Sequence, residues 1–304
     1  MGCKTKKSDF SVAMVFMSPF IIGFFVFILY PMLMSFYYSF TDFTALKPPV
    51  FTGFKNIASL SKDRVFFIAI LNTSYMVILG TPLVCITGLL TAILLNRKVP
   101  ILSLFRTVIY IPAIVPSVAA ALIWTWILNP EYGPINALLR TLGVSAPPGW
   151  FADPRFSKPA LLFISIWAMG NVMVIFLAAL QDVPKELYES ASIDGAGSIM
   201  QFRKITIPML KPEIFYNIFV TIIVFTQYFS QGYVSNISSN PVGNFNLGSP
   251  LNSTMFYVSH IYQTSFRFFK FGYASLLAWI LLIITLLATL LLYKTSNMLN
   301  MEDK

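Results

Sequence analysis

Charge is scarce in this sequence. Only 11% of its 304 residues are Asp, Glu, Lys or Arg, against 57% that are apolar, whereas a soluble domain carries about 25% charged residues. That scarcity excludes an ordinary soluble domain. The apolar content excludes disorder, which needs low hydrophobicity and high charge. Cysteine is scarcer still: two residues exclude a disulfide scaffold and a multi-cysteine zinc site. His260 is the only histidine. With its position read as a loop on the outer side, it makes no catalytic or metal-binding constellation. No glycine-rich phosphate loop of the Walker type occurs. The chain is therefore expected to be no enzyme, and to hold no metal and no nucleotide of its own.

The class left is an all-α integral membrane protein. Six segments offer the run of about 20 apolar residues that a spanning helix needs. They lie near 12–34, 71–95, 106–128, 160–180, 214–234 and 273–293. Isolated strands could not satisfy their backbones in lipid, so each is expected to be helical. The run from Phe10 to Thr41 holds 32 residues without a charge, too long for a signal-peptide core. Met1-Gly2-Cys3 resembles a lipidation start, but Lys6 stands where the pattern wants Ser or Thr. The expected organisation is a tail over 1–10, a six-helix domain over 11–293 and a second tail over 294–304.

The formal net charge is +9. In a membrane protein such an excess faces the anionic membrane surface, and no nucleic-acid motif accompanies it. With the N-terminus inside, twelve of the basic residues fall on cytoplasmic segments: Lys4, Lys6, Lys7, Arg97, Lys98, Arg106, Lys185, Arg203, Lys204, Lys211, Lys294 and Lys304. Nine fall outside, on longer loops. The density favours both termini in the cytoplasm.

Inside the six spans no Asp, Glu, Lys, Arg or His occurs, Arg106 marking only the edge of the third. Pumps and ion-coupled transporters usually keep such groups in the membrane, so a transporter of this kind must draw its energy from elsewhere. Neutral polar residues do occur: the fifth span carries Thr226, Gln227, Tyr228 and Ser230. Their hydroxyls, amide and ring suit a neutral polyhydroxy ligand. The same groups can also serve as hydrogen-bonding glue between helices, and the residues alone leave both readings open.

Between the fourth and fifth spans lies a segment, 182–213, with five of the twelve carboxylates of the chain. Pro184 suits a first helical turn, Gly195 and Gly197 end that helix, and Ser198 with Gln201 reads as a capping box for a second short helix. A helix–turn–helix at the cytoplasmic face, showing apolar side chains between charges, is either a docking surface or an amphipathic linker on the membrane.

Glu189-Ser190-Ala191-Ser192-Ile193-Asp194-Gly195-Ala196, followed by Phe202, Ile205, Ile207-Pro208 and Pro212, resembles the "EAA" loop of bacterial ABC importer permeases, with Ser190 for the usual Ala and Ile207 for Leu. The resemblance is closest to the carbohydrate-uptake branch (maltose, glycerol-3-phosphate and multiple-sugar type) and extends through Tyr30-Pro31, Phe51-Thr52-Gly53-Phe54, Asn72-Thr73, Gly133-Pro134-Ile135-Asn136 and Phe271-Gly272-Tyr273. The region 235–254 departs from the family habit.

The resemblance implies a permease subunit in the bacterial cell membrane, working with a second permease, an ATPase dimer that holds the Mg-ATP, and an extracellular solute-binding protein. It implies that the loop over 182–212 docks the ATPase through Glu186, Glu189, Ala191, Asp194, Gly195, Ala196, Phe202 and Pro208, with Glu189 in polar contact, Asp194 capping or bracing the turn and Gly195 permitting it. It further implies that Thr226, Gln227, Tyr228 and Ser230, followed by His260 and Tyr262, line the path of a sugar or oligosaccharide. Glycerol-3-phosphate ranks lower as cargo because the spans offer it no basic residue. An ATP-independent channel or secondary transporter would leave the charged loop unexplained.

Overall fold

The computed structural model describes residues 5–44, 46–97, 101–239 and 247–301. The Met1-Gly2-Cys3 start, Lys4, Lys98, the Asn240-Pro241 turn and Lys304 lie outside them. The chain divides into two compact units, Met1–Asp63 with Ile261–Leu282, and Arg64–His260 with Ile283–Lys304. Among the described residues the structure is helical, apart from one antiparallel bridge between Thr41 and Phe51.

Four helical segments are long and apolar enough to cross a membrane: α1 (Val12–Ser39), α3 (Arg64–Leu95), a segment over Lys211–Asn236, and the last helix (Phe271–Thr295). The third and fourth expected spans are not straight. Leu102–Ile114 (α4) and Ser117–Ile127 (α5) meet at 102°, and Pro154–Trp167 (α7) and Gly170–Asp182 (α8) at 43°. The sharper elbow has a local cause. Val115 precedes Pro116 and takes an extended backbone, φ −65° and ψ 127°, because the proline ring disfavours the helical region for its predecessor.

Elsewhere prolines shape the helices more gently. π-helical turns at Phe24–Leu29, Met76–Gly80 and Phe202–Thr206 each end two residues before a proline, Pro31, Pro82 and Pro208. A proline removes one ladder hydrogen bond and its ring crowds the preceding turn. One wider turn absorbs both effects without breaking the helix.

In the first unit, the Asn56 amide on the short helix α2 (Lys55–Leu60) donates to the carbonyls of Ser39 at 2.8 Å and Thr41 at 2.9 Å, closing the end of α1. The Gly272 amide donates to the Phe43 carbonyl at 3.0 Å, and a Cβ there would strike the Thr41 carbonyl. Tyr273 donates to Asp63 at 2.8 Å.

In the second unit, α3 is the hub, because small residues on it let neighbours close in. A Cβ on Gly80 would lie 2.6 Å from the Phe225 ring, and one on Gly88 would lie 2.7 Å from Val172. One core gathers Met76, Trp124, Leu161, Ile164, Phe225 and Phe256. A second gathers Ala92, Met173, Phe176, Leu177 and Leu210. Asp153 caps α7, its carboxylate accepting from the Arg155 amide at 2.8 Å, with Pro154 preset for the first turn.

Candidate functional site

The charged segment forms two helices, α9 (Lys185–Ile193) and α10 (Ser198–Gln201), with α6 (Pro134–Thr141) standing apart on an earlier connection. Pro184 adopts ψ 131° and stands just before the first turn rather than inside it. Glu186 then sits in that turn, where the helix dipole favours a carboxylate. At the other end Gly195 takes φ 79°, a conformation that favours glycine. The Ala196 amide donates to the Ala191 carbonyl at 2.8 Å and the Gly195 amide to that of Ser192 at 3.1 Å. This is the paired pattern of a Schellman cap. The turn is thus braced by backbone; Asp194 occupies the C-cap with its side chain exposed.

The capping box expected at Ser198 does not form. Gly197 is the N-cap of α10 and offers no side chain. The Gln201 amide instead reaches back across the turn, donating to the Ser192 hydroxyl at 2.9 Å and to the Ala196 carbonyl at 3.1 Å. A second tie joins Tyr188 and Thr206, whose hydroxyls lie 2.9 Å apart. Between these ties the element presents apolar surface: Ile193 is 87% exposed and Ile199 85%. Glu186, Glu189 and Pro208 are also exposed, while Ala191, Ala196 and Phe202 are half-buried.

The polar residues of the fifth span fall on a break in it. One helix, α11 (Lys211–Thr226), ends at Thr226, and the next, α12, begins at Ser230 and runs to Ser239. Gln227 sits at φ −101° and ψ 18° and is exposed. Thr226 and Tyr228 are buried, and Ser230 is half-buried. Tyr228 packs edge-on to Phe256 at 5.2 Å and near Phe225 at 6.0 Å. Its hydroxyl is sealed from solvent without a well-formed hydrogen bond. Ser165 lies beside it but donates to the Leu161 carbonyl.

His260 is not in a loop. It is buried at 5% exposure in a short helix, α13 (Tyr257–Tyr262), which the loop-forming residues before it concealed from a reading of sequence. Tyr262 is half-buried, its ring 5.1 Å from that of Phe266.

A polar node absent from the sequence reading lies on α3. The Asn72 amide donates to the carbonyls of Asn252 at 2.8 Å and Met255 at 3.0 Å, and its oxygen accepts from Lys158 at 3.0 Å. The Lys158 ammonium also stands 4.8 Å from the Tyr75 ring centroid. Ser157 and Ser253 share a hydrogen bond of 2.8 Å, and Thr73 accepts from the Tyr257 amide at 2.9 Å. These contacts hold 252–257 against α3 and α7. Nothing in the spacing of Asn72, Lys158 and Asn252 signals them.

Residues 85–296, which contain both the turn element and the helix break, match the family described as binding-protein-dependent transport system inner membrane component. The chain belongs to this family. It is a multi-pass membrane protein and a transport permease. Relatives include the probable ABC transporter permease protein YesP of Bacillus subtilis, 36% identical over 96% of this chain and 92% of that one. The arabinooligosaccharides transport system permease protein AraP of Bacillus subtilis is 32% identical over 93% and 88%. The lactose transport system permease protein LacF of Rhizobium radiobacter is 32% identical over 88% of each. In fold, the permease resembles a chain in the crystal structure of a bacterial ABC transporter involved in the import of the acidic polysaccharide alginate. The TM-score is 0.78, with 22% identity over 96% of both chains.

Proposed function

We propose that this permease is one of two membrane subunits of an ATP-driven importer for a sugar or oligosaccharide. The bent pairs count as spans in this reading, so six spans leave both termini in the cytoplasm, and the 185–201 element faces the cytoplasm. An ATPase dimer docks there and supplies the hydrolysis. An extracellular binding protein delivers the solute.

The observation that carries the docking role is the exposed pair Ile193 and Ile199 on a cross-braced element flanked by Glu186 and Glu189. Large apolar side chains displayed from a rigid charged hairpin are suited to a partner's cleft. For the pathway, the helix break at 227–229 supports Thr226, Gln227, Tyr228 and Ser230. Irregular backbone at membrane depth is tolerated where it is buried in protein or lines a cavity. His260 and Tyr262 take secondary places. The neutral character of these groups fits a polyhydroxy cargo, and relatives named for lactose and arabinooligosaccharides support the same class.

The test is purification of a tagged chain from its native membrane in mild detergent, beside Glu189→Lys and Gly195→Pro. The expected result is a second permease and an ATPase with the parent, and loss of the ATPase alone from the variants. A chain that arrives without either partner, or that transports in liposomes without ATP, overturns the proposal.

A further inference from the structure

The turn between α9 and α10 contains two glycines, Gly195 and Gly197, and a Cβ built on either would meet nothing within 4 Å. No neighbouring side chain wedges this turn. A two-glycine turn in open space is a hinge by default, since glycine is the residue with the widest backbone freedom. A hinge transmits little force. The Schellman bonds fasten Gly195 and Ala196 to α9, but they stop short of α10. Gln201 is the side chain that spans the gap. Its amide nitrogen donates to Ser192, whose own hydroxyl donates to the Tyr188 carbonyl at 2.7 Å, and to Ala196 inside the turn.

We propose that Gln201 is a positioning residue that locks the two-glycine elbow, so that movement of a docked ATPase is passed to the spans rather than absorbed in the turn. This inference rests on the docking reading above. It concerns a residue whose spacing suggested a local helix cap and whose contacts lie elsewhere. Both bonds use Gln201 as a donor, so the role needs N–H groups at the end of a side chain of this length.

That requirement sets the variants. Gln201→Met keeps the length without charge or donors. Gln201→Glu keeps the shape and removes the donors. Gln201→Lys changes the shape and restores donors. ATPase closure and the change of access in the spans form one coupled equilibrium, so a resting permease holds its ATPases open. A loosened elbow weakens that restraint. In the assembled complex, Q201M and Q201E should raise Mg-ATP hydrolysis without solute or binding protein about fivefold. They should also speed amide exchange across 195–201, while Q201K stays with the parent in both. Detached ATPases escape the same restraint, so hydrolysis is compared only between complexes that hold the parent's content of ATPase.

Unchanged or reduced hydrolysis in assembled Q201M complexes overturns the inference, as does a Q201K complex that behaves like Q201M. If the parent chain brings down no ATPase, the docking reading fails. Amide exchange in the chain alone then still decides whether Gln201 braces the turn.

Discussion

Replacing Asn72 with alanine removes three hydrogen bonds at once. Two are donated to the carbonyls of Asn252 and Met255, and one is accepted from Lys158. Met255 is 1% exposed and its bond to Asn72 is buried, so that carbonyl loses a donor that water does not readily replace. The Asn252 carbonyl and the Lys158 ammonium are better placed to be rehydrated. One stranded buried acceptor together with two partly compensated bonds gives a loss of about 2–4 kcal/mol. For a unit of this size that lowers the melting temperature by roughly 5–15 °C.

The chain carries its own reporter. Cys85 is a buried free thiol, and with Cys3→Ser as background it is the one thiol left in the sequence. A maleimide fluorophore in detergent then reads its exposure on heating. Asn72→Asp sharpens the test. It gives Lys158 a carboxylate partner but removes both N–H donors and sets negative oxygen against two carbonyls, so it should also destabilise. An Asn72→Ala protein melting within about 2 °C of the parent, or an Asn72→Asp protein as stable as the parent, would refute the account of how 252–257 is held.

Two further outcomes follow from local geometry. Gly88→Val should force α3 and α8 apart, since even its Cβ falls 2.7 Å from Val172. The expected loss is about 1–3 kcal/mol, read by the same thiol assay, with Gly88→Ala milder. For pH, the Arg155 side chain hydrogen-bonded to Asp153 holds that carboxyl below its usual value, aided by the Arg155 amide. A lowered folded pKa means the contribution is present above the unfolded value of about 3.9. It is lost as pH falls through the folded one. Asp153→Asn should therefore flatten the acid limb of melting temperature against pH below about 4, and an unchanged limb would count against this cap.

Much of the membrane architecture was legible in the chain because its cause is one-dimensional. A stretch of about 20 uncharged apolar residues must bury itself in lipid as a helix, and the segments near 12–34, 71–95, 214–234 and 273–293 all lie on long apolar helical segments. The turn after α9 was equally readable, since a left-handed residue calls for glycine and Gly195 supplies it. The third span was not fully readable. Pro116 is the local cause of the elbow, but its 102° size depends on which neighbours pack against each half.

The sequence by itself determined the class, the all-helical build, the placement of the apolar segments and the family. These follow from composition, local runs and a motif of fixed spacing, none of which needs distant residues to meet. Only the tertiary structure decided where polar side chains aim. It buried His260 in a helix rather than leaving it in a loop. It sent Gln201 across the turn rather than to its own helix end. It also joined Asn72 to Lys158 and Asn252, 86 and 180 positions away. A hydrogen bond is directional and short, so its partner is chosen by packing in three dimensions, and spacing along the chain carries no record of that choice.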